Sequence, residues 1–291
     1  MQLHLQGHRG ARGNRPENTF SSIEFAIDCL VDSIETDLHL CADEQVVLFH
    51  DHFFSLPQSN HHFQINEFNL QALQAVFKNV PSKNERFPLQ EFIIGPLSSI
   101  YCKRHNLNCW APPTLDQFFD FVDFYAGEEG KTFGKTLAQQ KAAALLSFDL
   151  EIKQLPFLQC KSEIILHIIK EQIANRKSQN RIILRSFDHT ILKQAKKLLP
   201  DCTLGLLTDG TIQVDIIREM IDTGASLFCP KFDTLNKNVI LEMHRNHFKI
   251  LPWTANNPTQ WNKLQYLGVD GITTDFPQAF RIWQSPKTQK R

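Results

Sequence analysis

The sequence predicts an α/β fold, a TIM-type (β/α)8 barrel, and two observations support this prediction. Short apolar runs typical of buried strands alternate with segments whose apolar residues have helical spacing, and this alternation indicates parallel β/α units. Histidines, carboxylates and basic side chains also stand at or just after several of the apolar runs. Reactive side chains at strand ends are typical of barrels and open parallel sheets, in which the active site lies at one rim.

Nine runs have the character of strands: 3–7, 33–38, 46–50, 146–152, 181–186, 204–207, 226–229, 249–253 and 271–274. Because eight strands close a TIM barrel, one run is surplus. The connection from Asp37 to Val46 is also shorter than a helical crossover, which takes about a dozen residues or more. We therefore expect a distorted barrel that lacks one helix, and the sequence leaves the surplus run unidentified.

Helices are predicted between most of these runs. One follows Asn18, the expected N-cap, because apolar residues then recur at a spacing of three and four. Another begins at Pro258 and ends near Gly268. The aromatic stretch 118–125 is interpreted as a helix that packs on the barrel, and residues 123–145 as a solvated loop.

A chain of 291 residues suits one barrel of about 250 residues with insertions. We expect a single domain over residues 1–291. Residues 51–113 are rich in Asn, Gln, Pro and Phe and follow the third predicted strand. They are predicted to form an inserted cap above the rim.

Composition excludes several functional classes. The formal net charge is zero, with 31 basic and 31 acidic residues, which argues against nucleic-acid binding. No apolar run approaches the ~20 residues of a membrane span, and the N-terminus lacks the features of a signal peptide. The seven cysteines are scattered without a Cys-x-x-Cys spacing, so reduced thiols are expected rather than zinc binding. We expect a cytoplasmic protein without stable membrane insertion.

Three carboxylates form a candidate metal site. Glu35 and Asp37 lie two residues apart in a predicted strand and therefore share one face, and Glu151 stands at another strand end. Crowded carboxylates raise one another's pKa unless a cation neutralises them. Mg²⁺ and Ca²⁺ favour carboxylate oxygens, so we predict one divalent ion, Mg²⁺ or Ca²⁺. The alternative is an edge strand whose acids serve solubility.

Two histidines are candidates for acid–base chemistry. His8 and His50 end the first and third predicted strands, and such a pair beside a metal suits proton transfer near neutral pH. The other histidines near this region, His39, His61 and His62, have no such placement and are interpreted as surface residues.

Two cations and one aromatic residue complete the candidate site. Arg9 follows His8 and offers a guanidinium that matches phosphate. Lys153, two residues beyond Glu151, can neutralise charge that develops on a phosphoryl group. Trp253 at a strand end is interpreted as core packing or as a wall for the alcohol portion of a substrate.

Other catalytic motifs are absent: the chain has no Gly-x-Ser-x-Gly elbow, no Walker loop and no Gly-x-Gly-x-x-Gly. The motifs that are present resemble those of the glycerophosphodiester phosphodiesterase family: Gly7-His8-Arg9-Gly10, Pro16-Glu17-Asn18-Thr19, Glu35-x-Asp37 and His50-Asp51. The closing stretch 268–277 is similar to the family's G-V-D-G-I-x-T-D-x-P ending, so the likeness covers nearly the whole chain.

The resemblance implies a metal-dependent TIM-type barrel that hydrolyses glycerophosphodiesters to glycerol 3-phosphate and an alcohol. The family's functional positions fall on metal ligands Glu35, Asp37 and Glu151, on the acid–base pair His8 and His50, and on phosphate contacts Arg9 and Lys153. The family's expected route attacks phosphorus through the neighbouring glycerol hydroxyl and gives a cyclic phosphate that water opens. The sequence does not decide which histidine is the acid.

Substrate range is less defined than reaction type, because the Arg-x-Thr often found beyond the His-Asp pair is not recognisable after Asp51. A lysophospholipase D-like or phosphosphingolipid phosphodiesterase on the same core is one alternative. A non-catalytic binding protein on a decayed barrel is the alternative from another class. The expected partner is a small-molecule glycerophosphodiester, and no oligomeric state is predicted.

Overall fold

The structure, a computed structural model, describes residues 3–55, 61–77, 85–153, 159–176, 179–210, 212 and 215–285. The strands are β1 (His4–His8), β2 (Ser33–Leu40), β3 (Val46–Leu48), β4 (Phe53–Ser55), β5 (His62–Gln64), β6 (Ser147–Ile152), β7 (Ile182–Ser186), β8 (Thr203–Thr208), β9 (Leu227–Pro230), β10 (Lys249–Ile250) and β11 (Gly271–Thr274). The α-helices are α1 (Phe20–Asp28), α2 (Leu70–Val76), α3 (Pro96–Arg104), α4 (Leu115–Ala126), α5 (Glu128–Thr132), α6 (Leu137–Leu145), α7 (Gln159–Arg176), α8 (His189–Leu198), α9 (Ile216–Thr223), α10 (Lys237–Arg245), α11 (Pro258–Leu267) and α12 (Pro277–Gln284).

Eight of these strands form a parallel barrel in the order β10-β9-β8-β7-β6-β2-β1-β11. The seam between β11 and the chain after β10 is bridged by backbone hydrogen bonds. The Thr273 amide donates to the Pro252 carbonyl at 3.0 Å, and the Ala255 amide donates to the Thr273 carbonyl at 3.0 Å. The barrel is therefore nearly closed, and the predicted TIM-type fold is confirmed.

The surplus run is β3, which pairs with β2 in antiparallel fashion. Leu40 lies opposite Val46 and Leu38 opposite Leu48, so the chain reverses in a tight hairpin instead of crossing through a helix. The hairpin takes the place of a crossover helix, as the short connection predicts. The placement of His50 at the end of a barrel strand is wrong, because a hairpin return rather than a parallel strand delivers it to the rim.

Two predictions about helices are also wrong. The N-cap of α1 is Thr19, whose hydroxyl accepts a hydrogen bond from the Ser22 amide, and Asn18 lies before the cap. Residues 123–145 are not a loop, since they contain α5 and α6. The signal for α6 is a capping box in which Thr136 and Gln139 satisfy each other's backbone amides.

The insertion 51–113 has two parts within the residues that the structure describes. The β4–β5 hairpin and α2 surround a small apolar cluster that includes Val47, Phe54 and Leu73. Helix α3 contacts α1 and α4 and so belongs to the outer helical layer. The interpretation of the whole insertion as a cap stays a prediction.

The apolar core lies between the barrel and its helices. Alternate strand residues on this outer side are fully buried: Leu5, Ile34, Leu150, Leu184, Leu206, Phe228 and Ile272. Helix α4 adds buried Phe118, Phe119 and Phe121, as its aromatic pattern predicts. No helix among the described residues is long and apolar enough to cross a bilayer.

The usual filling of a barrel interior is branched apolar side chains, and part of this interior follows that pattern with Leu207, Leu227, Cys229 and Leu251. The rest of the interior is polar. The amide of Gln6 donates to Asp149 at 2.6 Å, and Arg185 forms an ion pair with the same carboxylate. The Thr273 hydroxyl donates to the Gln6 side-chain oxygen Oε1 at 2.7 Å. This layer lies one pleat below His8 and Glu151 and supports the charged residues at the rim.

Candidate metal and phosphate site

The three predicted carboxylates come together because of the strand register. Glu35 and Asp37 occupy alternate positions of β2, and both are buried. Asp37 lies beside Glu151 in the β2–β6 pairing. One oxygen from each of the three residues lies within 4.8 Å of the others, the single such group found among the described residues.

The electrostatics of this group favour a bound cation. Burial raises the pKa of Glu35 well above its ordinary value, and the neighbouring Asp37 and Glu151 carboxylates raise it further. The Glu35 Oε1 atom is buried without a hydrogen-bond partner. Three buried carboxylates with an unsatisfied oxygen match the ligand preference of a hard divalent ion. The residues present therefore fit Mg²⁺ or Ca²⁺.

A sharp turn after β1 places Arg9 against these acids. Arg9 has φ 51° and Gly10 φ 83°, both in the left-handed region, and a Cβ on Gly10 would lie 2.5 Å from the Ser22 hydroxyl. Because of this turn, the backbone amide of Arg9 donates to Glu35 Oε2 at 3.1 Å. The side-chain Nε of Arg9 lies 3.1 Å from Asp37 Oδ2. Glycine is required here because a side chain would meet α1.

Lys153 approaches the same acids from β6. Its Nζ lies 2.5 Å from Glu151 Oε1 and 3.0 Å from Asp37 Oδ1. Burial would raise the pKa of Asp37, but Arg9 and Lys153 together hold it below its ordinary value. Two cations thus lie within ion-pair distance of one carboxylate, at the position where an anionic substrate would need them.

His8 is held by a residue that the sequence reasoning missed. Its Nδ1 lies 2.6 Å from Asp275 Oδ1, and its Nε2 lies 3.8 Å from Glu35 Oε2. Burial lowers the pKa of His8 to about 4, although Asp275 opposes the shift. Because a carboxylate accepts at Nδ1, a neutral His8 presents an unprotonated Nε2 toward the acids. The signal for Asp275 was its position directly after β11.

His50 reaches the site through the β2–β3 hairpin. The Phe49 amide donates to the Asp37 carbonyl at 2.9 Å, which returns the chain to the rim. The His50 side chain is 32% exposed, and its Nδ1 lies 2.6 Å from Asp51 Oδ1. The interpretation of His39 as a surface residue is wrong, since it is only 4% exposed and its Nε2 lies 3.3 Å from the His50 carbonyl.

A cavity of about 280 Å³ joins these groups. Seven of the eight predicted site residues line it: His8, Arg9, Glu35, His50, Glu151, Lys153 and Trp253. Asp37 is not in its lining but contacts both cations, as described above. One wall is apolar and includes Leu207, Phe187 and Trp253. The rings of Phe187 and Trp253 pack edge to face, with 5.6 Å between their centroids. The Trp253 indole donates to the Cys229 carbonyl at 2.9 Å, which fixes the ring.

Two residues of the Pro-Glu-Asn-Thr segment also belong to the site. Asn18 donates from Nδ2 to Asp37 Oδ2 at 3.0 Å, and Glu17 accepts from the Arg9 guanidinium at 2.8 Å. In the sequence this segment is recognisable only as a family motif and as a helix start. Asn18 lies two residues before α1 and has φ 53°, so the chain turns there toward the carboxylates.

The chain is similar to known phosphodiesterases over nearly its whole length. The model of the glycerophosphoryl diester phosphodiesterase family matches residues 8–279. A glycerophosphodiester phosphodiesterase of Bacillus altitudinis is 26% identical over 284 residues, 96% of this chain and 98% of that protein. A lysophospholipase D of Mus musculus is 43% identical, with 94% of this chain and 83% of that protein covered.

A solved structure shares the fold. The phosphodiesterase of Oleispira antarctica, in complex with its product sn-glycerol-3-phosphate, superposes with a TM-score of 0.73 at 20% identity, over 97% of this chain and 96% of that one. The family match spans nearly all of the barrel, and full-length relatives accompany it. The chain therefore belongs to the glycerophosphodiester phosphodiesterase family and is a phosphoric diester hydrolase.

Proposed function

We propose that the enzyme hydrolyses glycerophosphodiesters to glycerol 3-phosphate and an alcohol, with one divalent ion, Mg²⁺ or Ca²⁺, as cofactor. The observation that carries the proposal is the buried group Glu35, Asp37 and Glu151 beside a cavity that Arg9 and Lys153 also line. A glycerophosphodiester is a small anion with a vicinal diol, and these groups suit both its charge and its hydroxyls. The same product occupies the Oleispira relative.

The three carboxylates would hold the ion, which would supply Lewis-acid chemistry at the phosphate. Arg9 and Lys153 would bind the non-bridging phosphate oxygens, Arg9 with a planar fork and Lys153 as a point charge. Trp253 and Phe187 would exclude water from one side of the cavity. A bound phosphate would compete with the Asp37 carboxylate for Arg9 and Lys153. Phosphate oxygens would then replace carboxylate oxygens around these two side chains.

His8 is assigned the role of general base. Its Nδ1 is committed to Asp275, and its Nε2 faces Glu35 inside the site. It would take the proton from the glycerol hydroxyl next to the phosphate, whose oxygen then attacks phosphorus. A new oxygen–phosphorus bond forms while the bond to the departing alcohol breaks, and the product of this step is a cyclic phosphate.

His50 is assigned the role of general acid. It lines the same cavity as His8 but is more exposed, so an alcohol that departs beside it can reach solvent. It would give a proton to the alkoxide as it leaves. In the second step water would attack phosphorus and give a proton to His50. The bond from phosphorus to the glycerol oxygen that attacked first would break, and His8 would return its proton to that oxygen.

The Asp275→Asn variant tests how His8 is held. An amide in place of the carboxylate can donate to Nδ1, which would move the imidazole proton to Nε2 and block its function as a base. We expect kcat to fall by about 10²-fold or more, toward the ~10⁴-fold scale of an Asn that replaces the carboxylate orienting a general-base histidine. The matched control is Asp270→Asn, which alters the pair with His244 just before the start of β11, at the opposite end of this strand from Asp275. Unchanged kcat in Asp275→Asn, with normal thermal unfolding, would contradict the assignment.

The proposed reaction is tested by a substrate panel in the presence of Mg²⁺ or Ca²⁺. The panel contains glycerophosphodiesters of choline, ethanolamine and glycerol, together with lysophosphatidylcholine and a phosphosphingolipid. We expect release of the alcohol and of glycerol 3-phosphate from the three glycerophosphodiesters. The proposal fails if none of them is a substrate with either ion.

A lysophospholipase D activity is the second candidate function. The observation that favours it is the apolar wall, in which Phe187 is 42% exposed next to Leu207 and Trp253, and the mouse relative carries that activity in its name. An acyl chain on the glycerol could lie along this wall. In the panel, the release of choline and lysophosphatidic acid from lysophosphatidylcholine would support it.

A further inference from the structure

A second cavity, of about 180 Å³, lies next to the proposed site and has no part in the chemistry described above. Its walls are mainly apolar. They come from the segment before α1, from the end of β3 with the residue that follows it, and from the insertion: Pro16, Leu48, Phe49, Phe77, Trp110 and Pro112. Phe49, Phe77 and Trp110 are only half-buried, so their rings leave apolar surface open to the cavity. His50 lines this cavity as well as the site.

The charged groups of this cavity are already paired. Glu17 is the one carboxylate among the described residues of its lining, and it forms ion pairs with Arg9 at 2.8 Å and Arg12 at 2.6 Å. Gln90 donates to the Arg12 carbonyl at 2.6 Å. A ligand in this cavity therefore meets aromatic and aliphatic surface rather than a free charge.

We propose that this cavity binds the departing alcohol of the substrate and selects alcohols that end in a compact, branched apolar group. The inference rests on the proposed function and on the general-acid role of His50, because the alcohol that His50 protonates must lie on its side of the phosphate. Trp110 is the residue that sets the preference, since its half-buried ring can cover such a group.

Size decides the class of alcohol. A dry cavity of about 150 Å³ holds a benzene-sized molecule, so this one accommodates about seven heavy atoms. Choline and its neutral analogue 3,3-dimethylbutanol have this size and end in three methyl groups. Ethanolamine fills less of the space and brings an ammonium that would be desolvated without a free carboxylate. The charge of choline is on a quaternary nitrogen that makes no hydrogen bonds and that the aromatic rings can cover, and its neutral analogue has the same shape, so we expect the cavity to accept both.

The experiment measures kcat/KM for the glycerophosphodiesters of choline, 3,3-dimethylbutanol and ethanolamine. The Trp110→Ala variant is expected to lose about tenfold on the two branched alcohols, the scale of a lost apolar contact in a pocket, and to retain its rate on ethanolamine. Trp110→Phe should keep most of the rate on all three. Tyr266→Ala, which removes an exposed ring outside the cavity, is the control. Comparison of variant with wild type on each substrate cancels differences in leaving-group reactivity.

Two results would overturn the inference and leave the proposed function intact. An equal loss on all three substrates would mean that Trp110 acts on the fold or on the shared glycerophosphate. A loss confined to choline would mean recognition of charge rather than shape. Absence of turnover by the wild type on every diester would overturn the proposed function itself, and the inference with it.

Discussion

Replacement of Glu35 or Asp37 by alanine is expected to abolish both binding of Mg²⁺ or Ca²⁺ and turnover. Each residue supplies one of three buried oxygens within 4.8 Å of one another, and a divalent ion that needs several oxygen ligands loses one of its three protein carboxylates in either variant. Isothermal titration calorimetry reports the loss of binding, and steady-state assays report the loss of activity. Removal of the ion from the wild type with a chelator should have the same effect, and added ion should reverse it.

Isosteric variants separate the loss of the ion from a loss of fold. Glu35→Gln keeps the volume of the side chain and removes a buried ionisable group. Burial and the neighbouring Asp37 and Glu151 carboxylates raise the pKa of Glu35, which means that its negative charge is unfavourable there without a cation. Without the ion, this variant should therefore unfold at an equal or higher urea concentration than the wild type. Asp233→Ala, which alters an exposed pair with Lys231, is the control. Full activity of the wild type after thorough removal of metal would contradict the metal site.

Loss of either histidine is expected to lower turnover of glycerophosphocholine by about 10²-fold or more, the usual scale for a positioned acid or base. Neither variant should unfold the protein, because His8 and His50 stand at the rim above the polar interior. Far-ultraviolet circular dichroism and thermal unfolding provide the check on folding.

A substrate with a good leaving group distinguishes the two roles. The p-nitrophenyl ester of glycerophosphate releases a phenolate that needs no proton. His50→Ala should therefore regain most of the wild-type rate on it, whereas His8→Ala should stay impaired. The opposite pattern would exchange the two assignments. Wild-type rates for both variants on both substrates would contradict a mechanism that uses two histidines.

The sequence was sufficient for the fold class and for the three carboxylates. Both follow from local periodicity: alternating strands and helices indicate the barrel, and a spacing of two within β2 puts Glu35 and Asp37 on one face. Glu151 lies next to Asp37 because β2 and β6 are neighbouring parallel strands. The sequence places both residues near strand ends, and parallel strands end at a common rim.

The route of His50 to the site could not be predicted in the same way. Its run was interpreted as one more barrel strand, whereas β3 is antiparallel and makes a hairpin with β2. A run of three apolar residues looks alike in parallel and antiparallel pairs, and only the short connection before it indicated the hairpin. The rim position of His50 was predicted, but the reason for it was wrong.

Partners distant in sequence were beyond the reach of pattern reasoning. Asp275 contacts His8 only because β11 lies next to β1 in the barrel. His39 was interpreted as exposed, although the histidine side chain is amphipathic and the hairpin covers it. The position of Asp275 directly after β11 indicates a place at the rim, but its contact with His8 and the burial of His39 both depend on how separate segments pack.

The most direct test of metal-dependent hydrolysis is ³¹P NMR of glycerophosphocholine with metal-free enzyme, before and after addition of Mg²⁺ or Ca²⁺. We expect an unchanged diester resonance before the addition and the resonance of glycerol 3-phosphate afterwards, with choline as the other product. Turnover in the presence of chelator, or the appearance of phosphocholine in place of glycerol 3-phosphate, would contradict it.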